Sequence, residues 1–301
     1  MNRNENELEQ ISRDFEELKP FEKDPLKDLS KVENLEVWAP TDYERYYLPK
    51  LKLVGIKDKS SVILQNVADL HVHTQWSDGD DLDKVLDRAF CLRLDAIAIT
   101  DHDEIKGAIE ARRRVHERRL PLAVVPGTEV STKDGHVGAL FVMKKFPMNL
   151  SAKETVKLIH EAGGLAIAHH PYTPKLIEKV LSIKLGCGDL IKDIPFDAIE
   201  CTNAVPGRGV KYNIAAVESM NEKHINVGVT GSSDAHDAKF VGKGRTYYAG
   251  NEGVLSLKNS MAVGFTKGSE AYWKTSEKFL YYSKLLKAIF RNTIKRKGSV
   301  N

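Results

Sequence analysis

Two histidines at the end of an apolar stretch are the residues of this chain best suited to chemistry. The stretch begins at Val67 and leads to His71 and His73, and a short turn then supplies the carboxylate of Asp78. Alternate residues of a β-strand point to the same side, so both imidazoles can face one point where the strand ends. This geometry is typical of a metal site, although an H-x-H pair by itself is weak evidence for one.

Further ionisable residues accompany later apolar stretches. Histidine, aspartate or glutamate follows each of the strands predicted at 94–100, 120–125, 165–168 and 227–230, and a histidine stands at the entrance of the strand predicted at 137–143. Taken singly, each residue has a structural explanation, because buried histidines often only form hydrogen bonds and acidic residues after strands often cap helices. The full set of candidate ligands is His71, His73, Asp78, His102, Glu129, His136, His170, Asp234 and His236.

The joint placement of these side chains favours a metal centre. Burying that many imidazoles and carboxylates together is costly unless cations neutralise them. Histidine and carboxylate ligands without a thiolate suit zinc, manganese or iron. The set is too large for one tetrahedral ion, so we expect two or three divalent ions that share a bridging carboxylate.

The elements that must position these residues form a β/α pattern. Short apolar strands alternate with helices from about residue 62 to 263, which predicts a parallel β/α architecture. Ionisable groups collect just after strands, where β/α barrels and open α/β sheets place their sites. About seven strands without a glycine-rich dinucleotide fingerprint favour a barrel over a nucleotide-binding sheet.

The two ends of the chain differ from this central region. We predict a charged and partly irregular N-terminal extension over 1–60, a metal-dependent barrel over 61–265, and an amphipathic basic helix with a tail over 266–301. The C-terminal helix either docks on the barrel or contacts a membrane surface or an acidic partner.

Composition limits the class of protein. Hydrophobic content of 42%, charged content of 29% and a net charge of +3 are those of an ordinary soluble protein, and this charge does not by itself indicate nucleic-acid binding. Three scattered cysteines without a CxxC pair indicate reduced thiols, and no secretory signal or membrane span is recognisable. We therefore expect a cytoplasmic protein.

The motifs, taken together and in this order, resemble those of the polymerase-and-histidinol-phosphatase (PHP) superfamily. The resemblance covers roughly residues 66 to 250 and implies a distorted (β/α)₇ TIM-like barrel with a trinuclear metal centre that hydrolyses phosphoesters. The motifs that carry it are His71-x-His73, Ser77-Asp78-Gly79, Ile99-Thr100-Asp101-His102-Asp103, Gly127-x-Glu129, Gly135-His136, His170-Pro171 and Ser233-Asp234-Ala235-His236.

The resemblance also implies which residues hold which ion. The first ion takes His71, His73, Glu129 and Asp234 as ligands. Glu129 bridges to a second ion, which is held also by His136 and His170, and the third ion takes Asp78, His102 and His236. In the doublet His169-His170, the histidine directly before proline matches the family ligand. Asp101 and Asp103 match groups that orient the histidines.

A phosphoesterase mechanism needs a nucleophile and a grip on phosphate. Two ions that share a water lower its pKa and aim the hydroxide at phosphorus, while a third ion and cationic side chains stabilise the charge of the transition state. Arg208 is the best candidate for a phosphate clamp, followed by Arg245. Together with Asp101, these arginines complete the predicted catalytic residues.

The substrate is less well defined by the sequence. A small phosphomonoester or a nucleotide is favoured, because no separate nucleic-acid module is recognisable and the arginines of 112–119 lie on a predicted outer helix. An oligonucleotide is the alternative for the same site. Two other functions stay open: a catalytically silent, metal-stabilised interaction scaffold, and a metal-dependent amide or ester hydrolase, although the latter typically needs a lysine at a strand end.

Overall fold

The computed structural model describes residues 53–54, 64–181, 183–205, 213–215, 217, 227–250 and 253–269. The strands are β1 (Leu53–Val54), β2 (Asn66–Val72), β3 (Ala96–Ile99), β4 (Ala123–Thr132), β5 (Gly135–Leu140), β6 (Leu165–Ala168), β7 (Ala198–Asn203), β8 (Gly228–Ser232), β9 (Thr246–Tyr248) and β10 (Thr266–Ser269). The helices are α1 (Leu82–Cys91), α2 (Lys106–Arg118), α3 (Ala152–Glu161), α4 (Lys175–Leu181) and α5 (Val254–Ala262).

All of these strands belong to one sheet, which curls into a nearly closed barrel. Their order is β1-β10-β9-β2-β3-β4-β5-β6-β7-β8. The ends of the barrel wall meet where Val72 of β2 pairs with Ala235, just after β8, and the backbone N–H of His73 donates to the carbonyl of Ala235 at 3.0 Å. The predicted α/β barrel is confirmed.

Strand β5 departs from the expected parallel arrangement. It runs antiparallel to both β4 and β6, whereas β2/β3, β3/β4, β6/β7 and β7/β8 are parallel pairs. The uniformly parallel prediction was wrong here, because only Lys133 and Asp134 separate β4 from β5 and a parallel crossover needs a dozen or more residues. The reversal brings the beginning of β5, with His136, to the rim where the parallel strands end.

Side chains of the strands alternate between the barrel interior and the surrounding helices. In β3, Ile97 and Ile99 pack with α1 and α2, while Ala96 and Ala98 pack inside the barrel. In β6, Leu165 and Ile167 face the interior, while the two alanines between and after them face α3. This two-residue period is that of a strand buried on both faces.

Local signals start the helices that cover the barrel. The carboxylate of Asp81 accepts hydrogen bonds from the backbone N–H groups of Asp83 and Lys84 and so caps α1. Ser151 and Glu154 form a reciprocal capping box at the start of α3. Both helices then turn an apolar face to the sheet.

The sheet extends beyond the strands expected from the sequence. The last strand predicted from the sequence, at 227–230, is followed by β9 and β10, and β9 pairs antiparallel with β2. β1 and β10 lie outside the limits predicted for the barrel, 61 and 265. Most of the predicted N-terminal extension, and the predicted C-terminal region after residue 269, lie outside the described residues.

Within the described residues, no helix combines the length and the apolar character that crossing a bilayer requires. Cys91, Cys187 and Cys201 form no disulfide.

Candidate metal centre

The rim of the barrel brings together all nine candidate ligands. They come from β2 and the turn after it, the segment after β3, the β4–β5 hairpin, the end of β6 and the loop after β8. Their ring nitrogens and carboxylate oxygens form overlapping groups in which all ligand atoms lie within 4.8 Å of one another. These groups are His71/Glu129/His170, His71/His73/Asp234, His102/Glu129/His136 and His73/Asp78/His102/His236.

Glu129 stands at the middle of the cluster and is buried. Its Oε2 lies 3.2 Å from His71 Nε2, 3.4 Å from His73 Nε2 and 3.2 Å from His102 Nδ1. Its other oxygen, Oε1, faces a second set of imidazoles, with distances of 3.1 Å to His136 Nδ1, 3.0 Å to His169 Nδ1 and 3.3 Å to His170 Nε2. A carboxylate with ring nitrogens around each oxygen has the arrangement of a ligand that bridges two cations.

The spacing of the first ligand set fits one ion. His71 Nε2 and His73 Nε2 are 3.1 Å apart, and Asp234 Oδ1 lies 3.4 Å from the first and 3.2 Å from the second. Two ligands of one tetrahedral ion with bonds of about 2.0–2.1 Å would be about 3.3 Å apart. Three buried donor atoms at this spacing, with Glu129 Oε2 at 3.2–3.4 Å from both histidines, therefore fit a divalent cation.

The group formed by Asp78, His102 and His236 lies nearer to solvent. Asp78 Oδ2 is 3.3 Å from His236 Nε2, and Asp78 Oδ1 is 3.9 Å from His102 Nε2. The side chain of Asp78 is 56% exposed, whereas those of His71 and His73 are fully buried. This group is therefore the part of the cluster that a substrate in solution meets first.

The charges of the cluster depend on one another. Burial lowers the pKa of His71, but the carboxylates around it, led by Glu129, raise it well above the usual value. Burial also disfavours the ionised form of Glu129, yet the imidazoles hold its pKa well below the usual range. Burial, together with the charge of His236, lowers the pKa of His73 to about 3. Burial opposes protonation of His236, but the hydrogen bond to Asp78 raises its pKa to about 9.

Of the two adjacent histidines after β6, His169 continues the inward-facing series of β6. Its ring stacks on that of His71 with 3.7 Å between centroids. Gly138 makes room for it, because a Cβ there would lie 2.2 Å from His169 Nε2. His170 Nε2 approaches the same oxygen of Glu129 from another direction. His169 was not among the predicted ligands, although its position two residues after Ile167 was a signal for an interior side chain.

Glu200, on β7, was also absent from the predicted site residues. Its side chain is buried next to the candidate ligands. Its Oε1 accepts a hydrogen bond from His71 Nδ1 at 3.0 Å, and Oε2 accepts one from the backbone N–H of His170 at 2.8 Å. The only signal in the sequence was a carboxylate within a strongly apolar strand, a position where an acid needs partners.

The predicted role of Asp101 and Asp103 in orienting histidines needs correction. Asp101 accepts hydrogen bonds from the backbone and hydroxyl of Thr74 and from the hydroxyl of Ser77. Asp103 accepts them from the backbone and hydroxyl of Ser131. Both carboxylates thus hold chain segments that carry ligands, because short aspartates at a strand end reach neighbouring backbone before they reach a ring.

The structure describes one of the two arginines that were predicted to bind the substrate phosphate. Arg245 is largely buried, and its Nε donates to the carbonyl of Gly242 at 2.8 Å. Arg208 lies outside the described residues.

Comparison with known proteins agrees with this geometry. The PHP domain family matches residues 69–300. The chain is 36% identical over 167 residues to the uncharacterized protein MJ1587 of Methanocaldococcus jannaschii, covering 52% of this chain and 92% of that protein. In fold, the chain is similar to a two-domain protein from Bacteroides vulgatus that contains a predicted PHP-like metal-dependent phosphoesterase, with a TM-score of 0.53, 17% identity, and coverage of 73% and 69% of the two chains.

Two shorter matches involve enzymes of phosphodiester chemistry. The 5'-3' exoribonuclease Rnm of Escherichia coli is 40% identical over 67 residues, which are 22% of this chain and 23% of that enzyme. The phosphoribosyl 1,2-cyclic phosphate 1,2-diphosphodiesterase of Eggerthella lenta is 42% identical over 69 residues, covering 23% and 26% of the two chains. With the family match spanning most of the sequence and the ligand groups at the barrel rim, this chain belongs to the PHP domain family and is a metal-dependent phosphoesterase.

Proposed function

We propose that this enzyme hydrolyses the phosphoester bond of a small phosphomonoester or a nucleotide at a centre of two or three divalent ions. The observation that carries this proposal is Glu129, whose two oxygens each face three imidazole nitrogens. Zinc, manganese and iron all accept such a mixture of histidine and carboxylate ligands.

Each part of the site has a task in this proposal. Bound divalent ions supply Lewis acidity and lower the pKa of a water to near neutrality. The buried residues His71, His73, Glu129 and Asp234 would bind the innermost ion. His102, His236 and Asp78 lie at the solvent side and would bind an ion next to the substrate phosphate.

A grip on the non-bridging oxygens of the phosphate completes the site. We assign this task to Arg208 and Arg245, as the sequence suggested. Arg245 belongs to the connection between β8 and β9, which also supplies Asp234 and His236, and its side chain is largely buried against Gly242. Asp101 supports the reaction indirectly through the turn that carries Asp78.

Ion pairs on α2 support a small substrate. The arginines of this helix form the densest basic stretch of the described chain, and acidic partners neutralise much of it. Arg114 pairs with Asp83 at 2.5 Å and with Glu110 at 2.9 Å, and Arg118 pairs with Asp87. Such engaged side chains are poor counterions for a nucleic-acid backbone.

A phosphodiester is the second candidate substrate. It is favoured by the matches to an exoribonuclease and to a cyclic phosphate diesterase, which each cover about a quarter of the respective relative. The same ligand groups would serve a diester, because the developing charge lies on phosphate oxygens in both reactions.

A substrate panel tests the proposal. Phosphomonoesters, nucleotides, a cyclic phosphodiester, a short RNA and a carboxyl ester would be assayed with manganese, zinc and iron. We expect turnover of phosphomonoesters or nucleotides to exceed that of the other substrates. Preference for RNA, with binding that weakens steeply as salt rises, would select the second candidate. Activity on the carboxyl ester alone would contradict both, and no turnover of any substrate would favour a metal-stabilised scaffold.

A further inference from the structure

We propose that Glu200 and Asn203, both on β7, are positioning residues that hold three ligands of the metal centre in their binding orientation. Both side chains are fully buried directly beside the ligands. The proposal rests on the metal centre described above, and it adds a second layer of residues that determines how that centre binds its ions.

Glu200 holds two histidines. Its Oε1 accepts a hydrogen bond from Nδ1 of His71 at 3.0 Å. An imidazole that donates through Nδ1 presents the lone pair of Nε2, and Nε2 of His71 is the atom that faces Glu129. Through Oε2, Glu200 also accepts the backbone N–H of His170 at 2.8 Å. One carboxylate therefore sets the tautomer of one ligand and the backbone position of another.

Asn203 connects Glu200 to Asp234, a carboxylate ligand. Its Nδ2 donates to Glu200 Oε2 at 2.9 Å and to Asp234 Oδ2 at 3.1 Å, while its Oδ1 accepts the backbone N–H of Val205 at 2.9 Å. The bond from Val205 fixes which end of the amide faces the carboxylates. Asp234 is thereby held through Oδ2, and its Oδ1 is the oxygen near His71.

An irregularity in β7 lets both side chains reach the centre. Residues three apart on a regular strand face opposite sides of a sheet. The pairing of β7 with β8 shifts register between Glu200 and Thr202, and such a bulge re-aims the side chains that follow it. Glu200 and Asn203 therefore face the same ligands, although they are three residues apart.

Metal binding by a matched pair of variants tests the proposal. The affected variant is Glu200→Gln, which keeps the size of the side chain but replaces one acceptor oxygen by a donor. The control is Asp197→Asn, just before β7. Asp197 also accepts one hydrogen bond from an imidazole, that of His160 at 2.8 Å, and one from a backbone N–H, that of Ala166 at 2.7 Å. Neither His160 nor Ala166 is a candidate ligand.

Cobalt(II) titrations followed by visible absorption, with metal counting by elemental analysis, provide readouts other than activity. We expect Glu200→Gln to bind cobalt about 10–100-fold more weakly than the parent chain and with an altered spectrum. Asp197→Asn is expected to match the parent in both. Melting temperatures of the metal-free proteins show whether each variant is folded. If Glu200→Gln does not fold, Glu200→Asp replaces it, because this shorter acid keeps the charge but cannot reach both His71 and His170.

Parent-like affinity and spectrum in a folded Glu200 variant would overturn the proposal and leave the proposed function intact. Equal weakening in Asp197→Asn would also overturn it, since the effect would then be a general loss of stability. A parent chain that binds no cobalt would instead contradict the metal centre itself.

Discussion

At the scale of single residues, Glu129 is the side chain around which the other candidate ligands are grouped. It lies in the middle of the long strand β4 and not at its end, and both of its oxygens face ring nitrogens. The ligands from the other strands are arranged around it. A change of this one side chain should therefore affect more than one ion.

We expect Glu129→Gln to lose both metal and activity. The amide is neutral and offers one acceptor in place of two, so it cannot bridge two cations. Bound metal should fall by at least one ion per chain, and kcat/KM should fall more than about 100-fold, beyond the usual effect of a residue that only supports a ligand. Elemental analysis and steady-state kinetics measure these quantities.

Glu110→Gln is a suitable control for this substitution. Glu110 lies on α2 and pairs with Arg113 and Arg114 at the partly exposed surface, so its loss should change stability by about 1 kcal/mol or less. Full metal content in Glu129→Gln would refute the bridging role.

The raised pKa of His236 predicts how pH affects the metal-free protein. Its folded pKa of about 9 exceeds the usual value of 6.5, so protonation of His236 stabilises the fold fully below pH 6.5, and this contribution is lost as pH rises through 9. Because the side chains of His236 and its partner Asp78 are 32% and 56% exposed, solvent screening limits the effect to about 1 kcal/mol. Urea unfolding between pH 6 and 10 in the presence of a chelator should show the decline. An unchanged decline in His236→Gln would show that other groups cause it.

At the scale of elements, the turn at 74–79 is held in place by one side chain, Asp101. It connects β2 to α1 and carries Asp78, and Asp101 holds it through three hydrogen bonds from Thr74 and Ser77. Gly107 leaves space for this carboxylate, because a Cβ there would lie 2.0 Å from Asp101 Oδ2.

Asp101→Asn should therefore disturb the solvent-side ligand group and spare the buried one. The amide is neutral and replaces one acceptor oxygen by an N–H₂ group, which weakens the hydrogen bonds from Thr74 and Ser77. The turn therefore holds Asp78 less firmly. We expect one ion to exchange more readily, which metal counting after brief dialysis measures, and activity to fall about 10-fold, as for other residues that support a ligand. Unchanged metal retention with a much larger loss of kcat would instead assign Asp101 to proton transfer.

Much of this arrangement could be predicted from the sequence, and the exceptions have physical causes. The H-x-H pair and the residues after each apolar stretch are local patterns, so all nine candidate ligands could be named in advance. The reversal of β5 was missed even though Asp134-Gly135 is a hairpin signal, because alternating strands and helices elsewhere favoured parallel pairing. The one signal for Glu200 was its place in an apolar strand, and Asn203 had none, since the direction of its side chain depends on a register shift that no local pattern encodes.

At the scale of the whole molecule, the barrel is joined through the same segments that carry the ligands. The carboxylate of Asp69 on β2 accepts the backbone N–H groups of Ser233 at 2.9 Å and Gly242 at 2.7 Å. His71 follows two residues later on the same strand, and Asp234 is the next residue after Ser233. Closure of the barrel and assembly of the metal centre are therefore coupled.

This coupling predicts that metal removal lowers global stability. A ligand at about 1,000 times its Kd stabilises the native state by about 4 kcal/mol. We expect a chelator to lower the melting temperature of the parent chain by several degrees, measured by calorimetry at fixed pH. The Glu129→Gln variant should respond much less. The same shift in both proteins would mean that the chelator acts elsewhere.

The reversed strand β5 has a consequence for how the chain folds. Glu129 and His136 are seven residues apart and share one hairpin, whereas the contact between Asp69 and Ser233 spans 164 residues. Closing a short loop loses less chain entropy than closing a long one, and contacts of low sequence separation form early. We therefore expect the hairpin to bring Glu129 and His136 together while the ends of the chain are still apart, so that part of the candidate metal site forms before the barrel closes.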